Sequence, residues 1–446
     1  MKQTYINKTF IRISQYIIAL ILVLIPFHAL LTVWASSLVG HYTLLRLWKE
    51  ILILVLFVPA LYFLFSKYNL KKLSKTSILI YLSIAYVLFS LVIGLIAYIT
   101  HNVNLKALGY GLDINLRYII FFWLCVYVSK NTSWLKDNWL SLLIIPGLIV
   151  IILGLLQHYL LPADFLRHFG YGSSTIVPFQ TVDSNNNYIR LQSTLRGANP
   201  LGAYLIIIIP AIFYKLYQSK DNLKRIFWGL SFVLSLAVMF YTYSRSAYIG
   251  LIISLFVLVW LLVSNKYRKL ILIASALLLI LLSGTYLVFR DNQTFQDTFL
   301  HTSATSKSAK SSNQNHESAT ISGFKDVIHQ PLGSGVGSAG PASVYNNHPA
   351  RIAENYYVQI TQEVGVIGLA LFVGILAVTS ISLYENRQDS LSLILLVCLV
   401  GISFVNLLSH AWADDTLSLV WFGFAGIALS NKVFGYSFFA KKSINY

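Results

Sequence analysis

The chain has 446 residues, of which 57% are hydrophobic and 11% charged, and its mean hydropathy is +0.68. A soluble domain cannot hide that much apolar surface, so the composition points to a polytopic helical membrane protein. The net charge of +17, from 33 basic and 16 acidic residues, is then loop charge beside a bilayer and not a nucleic-acid footprint.

Crossing ~30 Å of hydrocarbon takes about 20 apolar residues. On that measure the sequence predicts twelve transmembrane helices, at 13–34, 47–65, 77–99, 112–129, 139–160, 200–217, 226–243, 246–264, 270–289, 363–384, 391–410 and 413–431. Lys2, Lys8 and Arg12 precede the first run, which is long for a secretory signal and reads as an uncleaved span. The expected fold class is all-α. Residues 1–160 carry helices one to five, 161–199 form a loop, and 200–289 carry helices six to nine. Residues 290–362 form a larger loop, 363–431 carry the last three helices, and 432–446 form a tail. Cys125 and Cys398 both lie inside apolar runs and say nothing about redox compartment.

Basic residues orient the chain. With the N-terminus in the cytoplasm, short inner loops collect 20 of the 33, including Lys71, Lys72, Lys75, Lys220, Lys224, Arg225, Lys441 and Lys442. Both termini are then cytoplasmic, and the two sizeable loops are extracytoplasmic. Arginine dominates on the outer side: Arg46, Arg117, Arg167, Arg190, Arg196, Arg245, Arg290 and Arg351. Lysine suffices as a topological charge, whereas the planar guanidinium fork suits phosphate or carboxylate. Plain snorkelling at helix ends is the simpler alternative.

Three stretches carry candidate chemistry. In "RLQSTLRGANPLGAYL" the sequence predicts Asn199 as N-cap and Pro200 in the first turn of span six, so that Arg190 and Arg196 stand at a helix N-terminus that favours anions. In "YTYSRSAYIG", Ser244, Arg245 and Ser246 make the hinge between spans seven and eight. In "RIAENYYVQITQEVGVIGLALF" a helical pattern begins near Ile352, with Glu354 near its start and Arg351 just before it; Gly365 and Gly368 would allow close helix packing. Glu354 and His348 are both candidate bases. Upstream, "TSATSKSAKSSNQNHESAT" (302–320) is a low-complexity stretch expected to form no core, followed by Gly-rich "QPLGSGVGSAGPAS". Arg117 lies four residues after Asp113, the spacing of a helix salt bridge. Asp414, Asp415 and His410 lie in the last short turn, a weak metal signal.

In order and topology these stretches resemble the O-antigen ligase and polymerase family of bacterial envelope glycan enzymes, and "HQPLGSGVGSAGPAS" is similar to the Gly-rich stretch before that family's last motif. The resemblance spans roughly 180–372. It implies a glycosyltransferase-C-like fold in the bacterial cytoplasmic membrane, with the site on the extracytoplasmic face. It implies transfer of a glycan from a polyprenyl-pyrophosphate donor to a glycan, glycolipid or protein acceptor, without metal or cofactor. Arg190 or Arg196, with Arg245, would hold the pyrophosphate. Asn199, Ser244, Ser246, Arg117 and Arg351 would support them. The family's last motif usually presents a histidine base, and Glu354 stands there instead. The alternative reading is a transporter or flippase for an anionic lipid-linked substrate; that class shows broken helices at matching positions in two repeats, which the sequence does not display.

Overall fold

The computed structural model describes residues 2–67, 77–296 and 312–433. Lys71, Lys72, Lys75, Lys441 and Lys442, and the first part of the polar stretch 302–320, lie outside them. The helices in chain order are α1 (Lys2–Leu24), α2 (His28–Val39), α3 (Tyr42–Leu45), α4 (Trp48–Lys67), α5 (Ser77–Ile99), α6 (Leu105–Asn131), α7 (Trp134–Asp137), α8 (Trp139–Tyr159), α9 (Ala198–Gln218), α10 (Asn222–Tyr241), α11 (Arg245–Leu262), α12 (Arg268–Phe289), α13 (Gln293–Phe295), α14 (Ser312–His329), α15 (Tyr356–Glu385), α16 (Ser390–Leu408) and α17 (Asp415–Val433). The first expected span runs across α1 and α2, and each of the other eleven overlaps one of these helices. Among the described residues, nine helical runs are long and apolar enough to cross a membrane: 7–39, which joins α1 and α2, and those within α5, α6, α8, α9, α10, α11, α15 and α16. Helices α4, α12 and α17 occupy the places of the other three expected spans. Among the described residues the all-α expectation has one small exception, a hairpin of β1 (Gln180–Val182) and β2 (Asn185–Arg190). Its turn residues Asp183 and Ser184 both have positive φ, as a tight hairpin requires.

Among the described residues two spans are broken, the first bridged by distant side chains and the second by the backbone of a distant loop. The first bends at a 3₁₀ turn, Ile25–Phe27, where Pro26 has no N–H to donate. Carbonyls freed there would be costly in an apolar bundle. Thr194 Oγ1 donates to Pro26 O at 2.7 Å, and Thr416 Oγ1 donates at 3.2 Å to Ile25 O, which also accepts from His28 N.

The second break is in α15, where Gly365 has φ +70. The Gly-rich loop fills the gap. The amides of Ser334 and Gly335 donate to the carbonyls of Gln362 and Glu363 at 2.8 and 2.9 Å, while Val366 N donates to Pro331 O at 2.9 Å. The buried Glu363 carboxylate accepts from Gly337 N at 2.9 Å and Asn115 Nδ2 at 2.7 Å. A side chain at Gly337, where φ is +89, would collide with the Ala107 carbonyl of α6. The expected continuous helix from Ile352 is therefore two helical pieces hinged at Gly365 and clasped to the loop.

Candidate functional site

The three sequence stretches lie at the end of the bundle where α9, α11, α15 and α17 begin. Gly202 of α9 lets Ser244 and Ala247 of α11 approach its backbone. One turn into α11, Gly250 packs on Gly401 and Val405 of α16. On the other side of α16, Asn355 Nδ2 donates to Leu407 O at 2.9 Å and Tyr356 N to Ser409 O at 3.2 Å. The last turns of α16 thus separate the Arg245 hinge from Glu354. Each stretch also holds one non-glycine residue at positive φ: Ser193 (φ 50), Tyr243 (φ 49) and Glu354 (φ 54). Such conformations cost of order 1 kcal/mol each and concentrate at functional sites.

The two arginines of the first stretch have different surroundings. Arg190 ends β2; its Nε donates to Thr242 O at 3.0 Å and its NH2 to Asn199 Oδ1, both neutral acceptors. Burial first, and Arg245 as a like charge, push the Arg190 guanidinium down to about 10, with Tyr248 and Asp183 acting in the other direction. It stays cationic at neutral pH, beside a second arginine. Arg196 is the opposite case. Its Nε lies 2.8 Å from Asp414 Oδ2, and although burial disfavours its charge, Asp414 and Asp415 raise its pKa above the usual value.

Asn199 is not the N-cap predicted from the sequence. Helix α9 begins at Ala198, capped by Gly197, and the Ala198 amide donates to Gln180 Oε1 of the hairpin at 3.1 Å. With that amide already paired, the Asn199 side chain is left to accept from Arg190. Ser244 does occupy the N-cap position of α11, but its Oγ is buried without a hydrogen-bond partner. Ser246 lies in the first turn, half-buried. Beside Arg190 is a cavity of about 210 Å³ whose lining includes His158, Phe165, Asn187, Gln192 and Tyr243.

Arg117 belongs to a buried charge belt. Its NH1 lies 3.1 Å from Asp113 Oδ2, the expected pair, and 3.6 Å from Glu50 Oε1, while NH2 donates to Ala413 O at 2.8 Å. Lys49 lies 2.9 Å from Glu50 and 3.0 Å from Asp415. Trp48 Nε1 donates to His28 Nδ1 at 2.9 Å, so His28 Nε2 carries the proton facing Asp415 Oδ2 at 3.2 Å. Arg46, Tyr42, Tyr110, Arg117 and Arg196 border the adjoining cavity of about 250 Å³. His28, Lys49 and Glu50 were not singled out in the sequence; the adjacent Lys-Glu pair opening a span was the available signal. Asp414 and Asp415 are committed to these pairs. Among the described residues, no group of three or more His, Cys, Asp or Glu is arranged to hold a metal ion.

Glu354 lies outside α15. The helix is capped by Asn355, whose Oδ1 accepts from Val358 N at 3.1 Å, which leaves Glu354 free of the expected helix-start role. Its Oε2 instead lies 2.9 Å from His316 Nδ1 of α14. That hydrogen bond, against burial and helped by the charges of His316 and His410, holds the Glu354 carboxyl below its usual range. His316 comes from the polar stretch expected to form no core. From Ser312 that stretch is helical, because Asp326 of α14 takes Arg351 at 2.9 Å and Gln362 at 2.8 Å, and Gly323 packs on Ala353 and Val358. Arg351 therefore anchors α14. His348 is exposed; its Nδ1 lies 3.1 Å from the carbonyl of adjacent Pro349. His410 sits between the two charge groups, with Nδ1 buried and unpartnered. Burial first, and Arg196 next, push it down to about 4.

Residues 230–373, from α10 through the first half of α15, match the family model described as O-antigen ligase. Over these residues the chain is similar to the O-antigen ligase family. No curated protein matches it. The family match covers Arg245, the Gly-rich loop and Glu354, whereas Arg190, Arg196 and His410 lie outside it. That similarity and the run of long apolar helices are in keeping with a multi-pass membrane protein of polysaccharide biosynthesis.

Proposed function

We propose that this protein transfers a glycan from a polyprenyl-pyrophosphate carrier to an acceptor hydroxyl at the extracytoplasmic face of the bacterial cytoplasmic membrane. The observation that carries the reading is the Arg190–Arg245 pair. Arg190 is a half-buried guanidinium bonded to neutral oxygens and standing near a second arginine. Two cations so placed favour a dianionic group between them, and a departing pyrophosphate is one. Arg196, tied to Asp414, holds the start of α9 against the start of α17. The unpartnered Ser244 hydroxyl, one residue before Arg245, is a further donor for the same anion.

On this reading the bond from the sugar's anomeric carbon to phosphate oxygen breaks as the acceptor oxygen bonds to that carbon. The arginines stabilise charge on the leaving oxygens, and the proton of the acceptor leaves at the Glu354 side of α16. His348 takes no part. The test is reconstitution of the purified protein in vesicles with pyrophosphate-linked glycolipids extracted from cells lacking its gene. Lengthened or transferred glycan with release of polyprenyl pyrophosphate supports the reading. Vesicle-to-vesicle or transbilayer movement of intact donor with no new glycosidic bond overturns it in favour of a transporter.

A further inference from the structure

We infer that His316 is the base that deprotonates the acceptor, with Glu354 as its orienting carboxylate; the inference rests on the glycosyl-transfer reading above. Glu354 Oε2 and His316 Nδ1 are 2.9 Å apart. An ionised carboxylate only accepts hydrogen bonds, so Nδ1 is the protonated ring nitrogen, and in the neutral imidazole the lone pair lies on Nε2. A carboxylate behind an imidazole fixes its tautomer and orientation and stabilises the imidazolium that forms, the division of labour found in carboxylate–histidine catalytic pairs. The two side chains are 37% and 32% exposed, open enough for a hydroxyl to reach them.

The pair is held from both sides. Helix α14 is pinned to the α15 approach by Asp326 with Arg351 and Gln362, by Thr320 Oγ1 donating to Ala353 O at 3.3 Å, and by Gly323 on Ala353 and Val358. Glu354 is fixed in the left-handed region, between Ala353 and the Asn355 cap. The surrounding charges are His410, from the turn before α17, and Arg196 beyond it. A left-handed glutamate, whose helix is capped by its neighbour, is a costly way to make a surface ion pair and a reasonable way to aim a carboxylate.

In the step itself the acceptor O–H proton passes to His316 Nε2. The acceptor oxygen bonds to the anomeric carbon, and the electron pair of the breaking anomeric carbon–oxygen bond leaves with the pyrophosphate. The imidazolium afterwards loses its proton to water. All atoms and charges are accounted for without a further reactant.

The experiment uses the full chain in the vesicle assay above, with His316→Ala, His316→Gln, Glu354→Gln and the double variant His316→Ala/Glu354→Gln. A positioned general base contributes roughly 10²–10⁴-fold. His316→Ala is expected to lose about 100-fold or more in transfer rate and to recover partly with imidazole in the buffer, which a folding defect would not do. Glu354→Gln is expected to lose about 10-fold or more, and to cost nothing further in the His316→Ala background, because the two act as a unit. His316→Ala or His316→Gln within about threefold of wild type, or losses that multiply in the double variant, would overturn the assignment. No transfer by the wild-type protein itself would instead overturn the donor reading and leave the dyad without a substrate.

Discussion

Arg196 Nε meets Asp414 Oδ2 at 2.8 Å, joining the residue before the cap of α9 to the residue that caps α17. Asp414 is 4% exposed in its side chain, so loss of the arginine strands a carboxylate. Breaking a pair that is buried on one side and part-exposed on the other should cost between the surface and fully buried limits, roughly 1–3 kcal/mol. Arg196→Ala is expected to lower the thermal midpoint of the detergent-solubilised protein. Asp414→Asn in the same chain should restore part of it, since asparagine keeps the cap and removes the stranded charge. An Arg196→Ala protein of unchanged stability but no activity would move Arg196 into the pyrophosphate site.

Arg190 should behave in the opposite way. Its partners are a carbonyl and an amide oxygen. Arg190→Ala is expected to lower glycan transfer by about 100-fold or more, the scale for removing one preorganised donor of transition-state charge, with a small change in thermal midpoint. Arg190→Lys keeps the charge and loses the fork, so its transfer rate should fall between the two.

Gly365 carries the α15 break. At φ +70, and with the Leu332 backbone against it, Gly365→Ala is expected to destabilise the protein by about 2 kcal/mol or more. Gly109 of α6 is the control: it has ordinary helical φ and nothing within 4 Å of an added Cβ. Gly109→Ala should be neutral or stabilising by up to about 1 kcal/mol. Thermal midpoints of the two variants in one detergent check both.

His410 gives the protein an acid-side weakness. Its folded pKa, pushed down to about 4 from 6.5, means that the unfolded chain binds a proton which the folded chain refuses. Between those values the unfolded state holds more protons, so stability rises with pH and is lost as pH falls from about 6.5 towards 4, by at most ~3 kcal/mol from this group. The slope of thermal midpoint against pH in that window should flatten in His410→Leu. An unchanged slope would assign the acid sensitivity to other groups.

The frame and the outline of the site were legible in the sequence because both rest on local pattern. Apolar run length marks the spans, and Arg190, Arg245 and Glu354 stand beside turn residues at span mouths. Partnerships were not legible, since spacing carries no information about which mouths face each other. Arg190 and Arg196, six positions apart, looked equivalent until one met Asp414 and the other met neutral oxygens. His316 was hidden for a different reason. Its polar helix has little apolar face to announce it and is held by Asp326, Arg351 and Gln362, contacts that exist only once α15 is in place. The start of α9 was misplaced by two residues because Gln180, on the hairpin, supplies the first amide's acceptor.

The bent first span has a consequence for biogenesis. The Pro26 carbonyl accepts from Thr194, 168 positions further along the chain, and the Ile25 carbonyl, already paired with His28 N, accepts also from Thr416, 391 positions along. During synthesis the first helix therefore enters the bilayer with an open joint. Water or lipid headgroups must serve the Pro26 carbonyl until the segment after the hairpin arrives, and the joint lacks its Thr416 contact until the start of α17 docks. Insertion order and assembly order come apart here: the helix that is made first is among the last to be finished.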